Sequence, residues 1–491
     1  MTPQIRRTGV GLLIAFLLVF AQLNYVQIFA AERIASNPAN IRGLLREYSI
    51  KRGNIITVDD KVIARSVATD DNLKYLRTYP EGELFGHVTG FYSIVFGTRA
   101  LEDTYNDQLL GEGGVISMQD VEDQFLGSGE RGDDVITTID SRLQEIAREQ
   151  LGDQRGAVIA LDPGSGEVRA MWSYPSYDPG PFASHTPREE RRYARSLNPR
   201  SQDSPLINGA TQRGFPPGST FKVVTAAAAL ESGRYGPSST FADPVALELP
   251  QTVETLQNFS RTSCAGGGEI DLYTALVVSC DTTFGMLGLQ IPDEIRSVAS
   301  EMGFNGEIPF DVRVEQSRFP EVPDDQKPLR AFAGIGQADV VATPLQMALV
   351  AATVAEGGVV PRPRLVREVL DASGGIVESY SPETLGRALT EETAGELTRM
   401  MVDVVASPDG TGGNAAIPGI EVAAKTGTAQ SAPGAAPHAW FIAFAPANDP
   451  QLAVAVLVEN GGSFGAEATG GVVAAPIAKA LLEADREIRG W

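Results

Sequence analysis

The chain of 491 residues has little histidine, little cysteine and little lysine. Each shortage closes a class of chemistry. Two cysteines, Cys264 and Cys280, are too few for a zinc cluster. The histidines are His87, His185 and His438. Gly461-Gly-Ser463-Phe-Gly465 matches the nucleophile elbow of an α/β-hydrolase, but that class needs a histidine later in the chain. None follows His438, so the class is excluded. Basic residues number 40 against 62 acidic ones, a net charge of −22. Nucleic acid calls for a basic surface, so it is excluded as a partner, and the exposed body is acidic. Lysines number seven, and Lys222 alone has a serine three positions before it. The chain has no internal repeat. Its length allows two or three domains, and an apolar fraction of 43% allows a large core.

What is present centres on residues 214–222, Gly-Phe-Pro-Pro-Gly-Ser-Thr-Phe-Lys. Pro216, Pro217 and Gly218 break regular structure. An alanine-rich run over 221–230 then predicts a helix whose first turn carries Ser219. Lys222 falls on the same face as the serine. A hydroxyl beside an amine at a helix start is a way to make serine nucleophilic without histidine. Taken alone, the pattern more often describes an N-cap serine followed by a surface lysine.

At the N-terminus, Arg6 and Arg7 precede an apolar run over residues 10–31. About 20 apolar residues span a bilayer, and the arginines orient the start toward the cytoplasm. The run reads as an uncleaved signal anchor; a cleaved signal peptide is the competing reading. Residues 50–64 predict a small β unit with a hairpin turn at Asp59-Asp60. Glycine-rich loops are expected over 111–114 and 127–132, with a domain boundary near 130–140. Strands are expected from 135, from 156 and from 167, with a helix over 141–151. Residues 173–213 read as one long loop. Helices are expected over 343–355, 391–405 and 475–488. Three short apolar runs near 421, 438 and 452 predict consecutive antiparallel strands.

Three pieces stand in chain order: Ser219-Thr-Phe-Lys222, Ser279-Cys280-Asp281 and Lys425-Thr426-Gly427-Thr428. Together they resemble the signature of penicillin-binding proteins and serine β-lactamases. Other stretches are similar to class B penicillin-binding proteins. Arg52-Gly53-Asn-Ile55 and Gly97-Thr-Arg-Ala-Leu-Glu102 resemble the N-terminal pedestal. Phe215-Pro-Pro-Gly-Ser, Gly336-Gln337 with Thr343-Pro-Leu-Gln-Met, and His438-Ala-Trp-Phe resemble the transpeptidase domain. The short pedestal and the cysteine pair are most similar to the penicillin-binding protein A type of actinobacteria. No stretch resembles a glycosyltransferase module.

The resemblance implies an α+β, membrane-anchored, two-domain protein. A cytoplasmic tail would cover 1–9 and the anchor 10–31. A small β-rich pedestal would cover 32–135. A transpeptidase domain, with an antiparallel sheet flanked by helices, would cover 136–491 outside the membrane. It implies acyl transfer on peptidoglycan stem peptides ending in D-Ala-D-Ala, with β-lactams as covalent inhibitors and no cofactor or metal. Ser219 would be the nucleophile and Lys222 its base, with Lys425 helping to depress the Lys222 pKa. The N–H groups of Ser219 and Thr428 would form an oxyanion hole. Ser279 would pass a proton to the leaving D-alanine. Lys425, Thr426 and Thr428 would hold the terminal carboxylate. Bare Gly427 would let the substrate add as a strand at the sheet edge. A membrane-embedded glycan polymerase is the implied partner. D,D-carboxypeptidase activity and a non-catalytic scaffold remain as alternatives.

One position departs from the family pattern. The middle motif is usually Ser-x-Asn, whereas here it ends in Asp281. An ionised carboxylate beside Lys222 would favour the ammonium, the wrong state for a base. Pairing of Asp281 with Lys425, or its protonation, would relieve that. Cys264 and Cys280 have two readings outside the membrane: a disulfide that fixes the loop presenting Ser279, or two buried thiols.

Overall fold

The structure is a computed structural model that describes residues 3–26, 47–112, 131–430 and 434–491. One described helix is long and apolar enough to cross a membrane: Pro3–Asn24, with none of its residues buried. At about 1.5 Å per residue its 22 residues reach roughly 33 Å, close to the thickness of a bilayer core. It begins before the expected span, so Arg6 and Arg7 ride on its first turns. The end of that span (27–31), the first pedestal residues (32–46) and parts of both glycine-rich loops (113–130) lie outside the described residues.

Two sheets, accompanied by four two-stranded ribbons among the described residues, carry most of the rest. Their strands are β1 (Ile55–Ile56), β2 (Val62–Ala68), β3 (Tyr75–Thr78), β4 (Asp134–Thr137), β5 (Gly156–Leu161), β6 (Val168–Tyr174), β7 (Val366–Leu370), β8 (Ile376–Ser379), β9 (Ala423–Ala429), β10 (His438–Ala445) and β11 (Leu452–Val458). The larger sheet by strand number has the order β8-β7-β4-β1-β2-β3, and the second has the order β9-β10-β11-β5-β6.

The first sheet is assembled from distant parts of the chain. β4 pairs in parallel with β1 (Ile55 opposite Val135) and antiparallel with β7 (Val369 opposite Val135). The expected division at 135/136 therefore falls inside a strand, and two strands of the pedestal-side sheet come from residues 366–379. Buried Glu102 is held by residues beside and on this sheet. Arg52 Nε reaches its Oε2 and Arg77 Nε its Oε1, both at 2.6 Å, and Tyr79 Oη donates to Oε1 at 3.1 Å. Two stretches that carried the family resemblance thus meet in one ion cluster.

The second sheet is antiparallel and apolar on both faces. Every residue of β5, β10 and β11 is buried, as expected for strands covered by helices on each side. Helix Pro344–Ala355 packs against β5, β10 and β11. Thr343 caps its start by accepting from Gln346 N, and its nearly continuous apolar surface suits burial all round. Helices Ser141–Leu151 and Ala475–Arg489 pack on each other and on β6, β10 and β11. β9 and β6 are the edge strands, and the β9 edge faces the site.

The expected long loop over 173–213 is wrong in part. It contains a helix, Pro187–Ser196, which buries Glu190 and Ala194. Pro187 starts that helix at the position where a missing N–H costs nothing. Glu190 then pins it to the pedestal by accepting from Ser93 Oγ and from Val95 N at 3.3 Å.

Candidate active site

Ser219 lies in a single 3-10 turn, Gly218–Phe221, that runs into helix Lys222–Glu231. The turn is fixed from several sides. Phe215 N donates to Ala342 O (2.9 Å), and Gly218 N to Gly336 O (3.0 Å). Trp440 Nε1 on β10 donates to Pro216 O (2.9 Å). Thr220 Oγ1 donates back to Pro217 O (2.7 Å). Gly218 has φ +53°, and a Cβ there would stand 2.9 Å from Thr428 O. Glycine therefore lets the nucleophile turn press directly onto the end of β9. Ser219 and Thr428 consequently share the wall of a cleft of about 540 Å³ that Asp281, Phe259 and Gln337 also line.

Beneath Ser219 lies a chain of buried polar groups. Lys222 and Lys425 are both 0% exposed. Lys425 Nζ donates to Ser279 Oγ (2.9 Å) and to Thr426 O (3.0 Å). Lys222 Nζ donates to Ser279 Oγ (3.3 Å), Ser279 O (2.8 Å) and Asp281 Oδ1 (2.7 Å). Ser279 thus bridges the two amines. It is held at φ +61°, a conformation uncommon outside glycine. Cys280 N donating to Ala275 O at 2.8 Å and the Cys264–Cys280 disulfide fasten the backbone beside it. Asp281 opens helix Asp281–Gln290 and uses its second oxygen to accept from Phe259 N (3.0 Å).

Electrostatics follow from burial. Desolvation pulls the Lys222 pKa down, and the Asp281 carboxylate opposes this without cancelling it. Lys425 is pushed well below the usual lysine range, first by burial and then by the Lys222 charge. Its stronger displacement is reasonable, because Asp281 touches Lys222 and not Lys425. Pairing of Asp281 chiefly with Lys425, one of the expected arrangements, is therefore corrected.

Ser219, Lys222, Ser279, Asp281, Lys425 and Thr428 converge on one cleft and its floor. Thr426 does not present its hydroxyl there, since its Oγ1 lies 2.7 Å from Thr411 Oγ1. Gly427 also departs from the expectation. A Cβ at 427 would come 2.9 Å from Pro217 O and from Thr220 Cγ2, and 3.0 Å from Trp440 Cβ. The space beside this glycine is filled by the nucleophile turn and is not left open for substrate.

Comparison with known proteins agrees with this geometry. Residues 156–483 match the penicillin binding protein transpeptidase domain, and residues 52–135 match the penicillin binding protein A dimerisation domain. The chain is a penicillin-binding protein. The peptidoglycan D,D-transpeptidase PbpA of Mycolicibacterium smegmatis is 38% identical over 494 residues, covering 99% of each chain. PbpA of Mycobacterium tuberculosis H37Rv is 38% identical over 496 residues, again with 99% coverage of each. Solved structures of penicillin-binding protein A from M. tuberculosis superpose closely. Its ceftriaxone acyl-enzyme gives a TM-score of 0.84 at 38% identity, over 90% of this chain and 99% of that one. Its penicillin G acyl-enzyme gives 0.82 at 38% identity, over 89% and 100%.

Sequence reasoning on this penicillin-binding protein missed residues 258–261. Asn258 is buried, and its Oδ1 accepts from Thr282 N at 3.0 Å, one position after Asp281. Phe259 and Arg261 line the cleft. In the sequence, Asn258-Phe-Ser-Arg261 reads only as a turn-forming cluster.

Proposed function

We propose that this penicillin-binding protein is a serine D,D-transpeptidase that crosslinks peptidoglycan stem peptides. The observation that carries the reading is one cleft with Ser219 and Thr428 at its wall and the buried Lys222–Ser279–Lys425 chain at its floor. Ser219 Oγ attacks the carbonyl of the penultimate D-Ala, and Lys222, when neutral, accepts its proton. Burial supplies the depressed lysine pKa this requires. The N–H groups of Ser219 and Thr428 receive the oxyanion. Once Lys222 holds the Ser219 proton, both amines donate to Ser279 Oγ, which passes its own proton to the leaving D-alanine and takes the Lys222 proton in return. Lys425 and Thr428 hold the terminal carboxylate, with Thr426 and Gly427 shaping the strand that carries them. An amine of a second stem peptide then takes the acyl group. A β-lactam acylates the same serine.

The proposed organisation is a cytoplasmic tail over 1–9, an anchor over 10–31, a pedestal over 32–135 and an extracytoplasmic catalytic region over 136–491. The apolar helix Pro3–Asn24 supports the anchor. A membrane-embedded glycan polymerase is the proposed partner of the anchor and pedestal. Labelling with a fluorescent penicillin tests the enzymatic reading: the wild-type chain takes label and Ser219→Ala takes none. Ser219 Oγ has no hydrogen bond among the described residues, so the variant keeps its fold. An unlabelled wild-type chain would leave a scaffold as the better reading.

A further inference from the structure

The turn over residues 258–261 is held as firmly as the motifs beside it. Asn258 Nδ2 donates to Pro244 O (3.2 Å) and Thr262 O (3.0 Å), and its Oδ1 accepts from Thr282 N. Phe259 N donates to Asp281 Oδ2, and Arg261 N donates to Asn258 O at 2.9 Å. Arg261 has φ +57°, a region that favours glycine, and yet it carries the longest side chain on the turn. The backbone is pinned inward and the side chains point out. Phe259 is 73% exposed, and Arg261 is exposed with no acceptor for its guanidinium among the described residues.

Both side chains line the Ser219 cleft. Among the residues lining the cleft, the acidic one, Asp281, has both oxygens engaged, one by Lys222 and one by Phe259 N. Arg261 is therefore an unpaired cation, carried on a pinned turn, in the lining of a reaction cleft on a chain whose net charge is −22. Lys425 and Thr428 already account for the terminal carboxylate of the substrate. A guanidinium is suited to a further carboxylate, which it binds through a planar pair of donors.

We propose that Arg261 forms a second carboxylate subsite, which reads an acidic side chain on a peptide entering the cleft. The proposal rests on the transpeptidase reading above. The carboxylate belongs either to the donor peptide, upstream of the scissile bond, or to the acceptor amine. Arg261 is a specificity residue that positions substrate and takes no part in proton transfer.

The test uses the full chain, wild type and Arg261→Gln, with matched synthetic substrates. The donors are acyl-L-Glu-D-Ala-D-Ala and acyl-L-Gln-D-Ala-D-Ala, compared by the rate of D-alanine release. The acceptors are D-Glu and D-Gln, compared by transfer product formed from one common donor. The wild-type chain is expected to prefer the acidic member of one pair by about fivefold, the scale of one ion pair at an exposed site. Arg261→Gln is expected to abolish that preference while penicillin acylation of Ser219 is unchanged. The pair that shows the preference identifies the source of the carboxylate. A wild-type chain that takes penicillin but prefers neither acidic substrate overturns the subsite and leaves the transpeptidase reading standing. A preference that survives in Arg261→Gln overturns it too. A wild-type chain that takes no penicillin fails the transpeptidase reading first.

Discussion

Gly427→Ala separates two accounts of the Lys-Thr-Gly-Thr strand. If the glycine leaves room for substrate, an added methyl hinders acylation and leaves the free protein untouched. The structure argues otherwise. The new Cβ would lie at 2.9 Å from Pro217 O and Thr220 Cγ2, and at 3.0 Å from Trp440 Cβ. Real methyl contacts need about 3.5 Å or more, so each neighbour has to retreat by about half an ångström. They are poorly free to do so. Thr220 Oγ1 is bonded to Pro217 O, and Trp440 Nε1 to Pro216 O, so the contacts belong to one braced unit. Overpacking of this kind costs about 1–3 kcal/mol. The strain pushes the Ser219 turn off β9, and a misplacement approaching 1 Å costs up to about a hundredfold in rate. The expected result is a lower urea midpoint in the free protein together with penicillin acylation slowed at least about tenfold. Thr220→Ser keeps the hydroxyl and removes Cγ2, so combined with Gly427→Ala it should recover about 1 kcal/mol as a coupling energy. Wild-type stability of Gly427→Ala with slow acylation would refute the packing account, and so would a double variant with no coupling.

Three further outcomes follow from the same geometry. Asp281→Asn removes the charge that raises the Lys222 pKa, so Lys222 becomes neutral at lower pH. The acidic limb of the penicillin acylation profile then moves to lower pH, and superimposable profiles would defeat this account. Replacing Cys264 and Cys280 together by serine opens a link that spans 16 positions. It should cost about 3 kcal/mol, read from urea unfolding, and alkylation of both cysteines in unreduced wild-type protein would contradict the pairing. Glu102→Gln leaves Arg52 and Arg77 buried without a counter-charge and should cost about 3–5 kcal/mol. Burial pushes the Glu102 pKa up, but Arg77 and Arg52 outweigh it and the net shift is downward. The wild-type contribution is therefore present at neutral pH and is lost on acidification through that lowered pKa. Equal acid sensitivity in the two proteins would count against it.

The motifs were legible because their chemistry depends on residue type and order. The Ser219–Lys222 pair, Ser279 and Lys425 lie far apart in the chain, and no apolar periodicity would have joined them. β9, β10 and β11 were legible for another reason, as short apolar runs between turn residues. The helix Pro187–Ser196 was not, because its sequence is dominated by Arg and Glu and its buried face consists of little more than Glu190 and Ala194. Such a helix is set by tertiary contacts with the pedestal, which a local pattern does not carry. The partner of Asp281 was also hidden. Its contact with Lys222 is set by how helix Asp281–Gln290 meets the Ser219 turn in space, which no local pattern carries. Gly427 was identified as important on a different ground from the one the contacts support. Sequence shows that a side chain is missing, but not what occupies the space.

The sheet that joins β4 to β7 bears on modularity. A fragment beginning at residue 136 would keep β7 and β8 but lose half of β4 (Asp134 and Val135), which pairs with β7 from Thr137 to Asp134. It would also lose β1, β2 and β3. The exposed edge of β7 would then offer unpaired backbone groups to any passing strand. Catalytic fragments made this way should be prone to association, whereas those that retain residues 52–135 should not. The same stitching limits how such a protein can be recombined. An exchange of pedestals between relatives has to bring a matching register at Val366–Leu370, so the two regions are expected to be inherited as a unit.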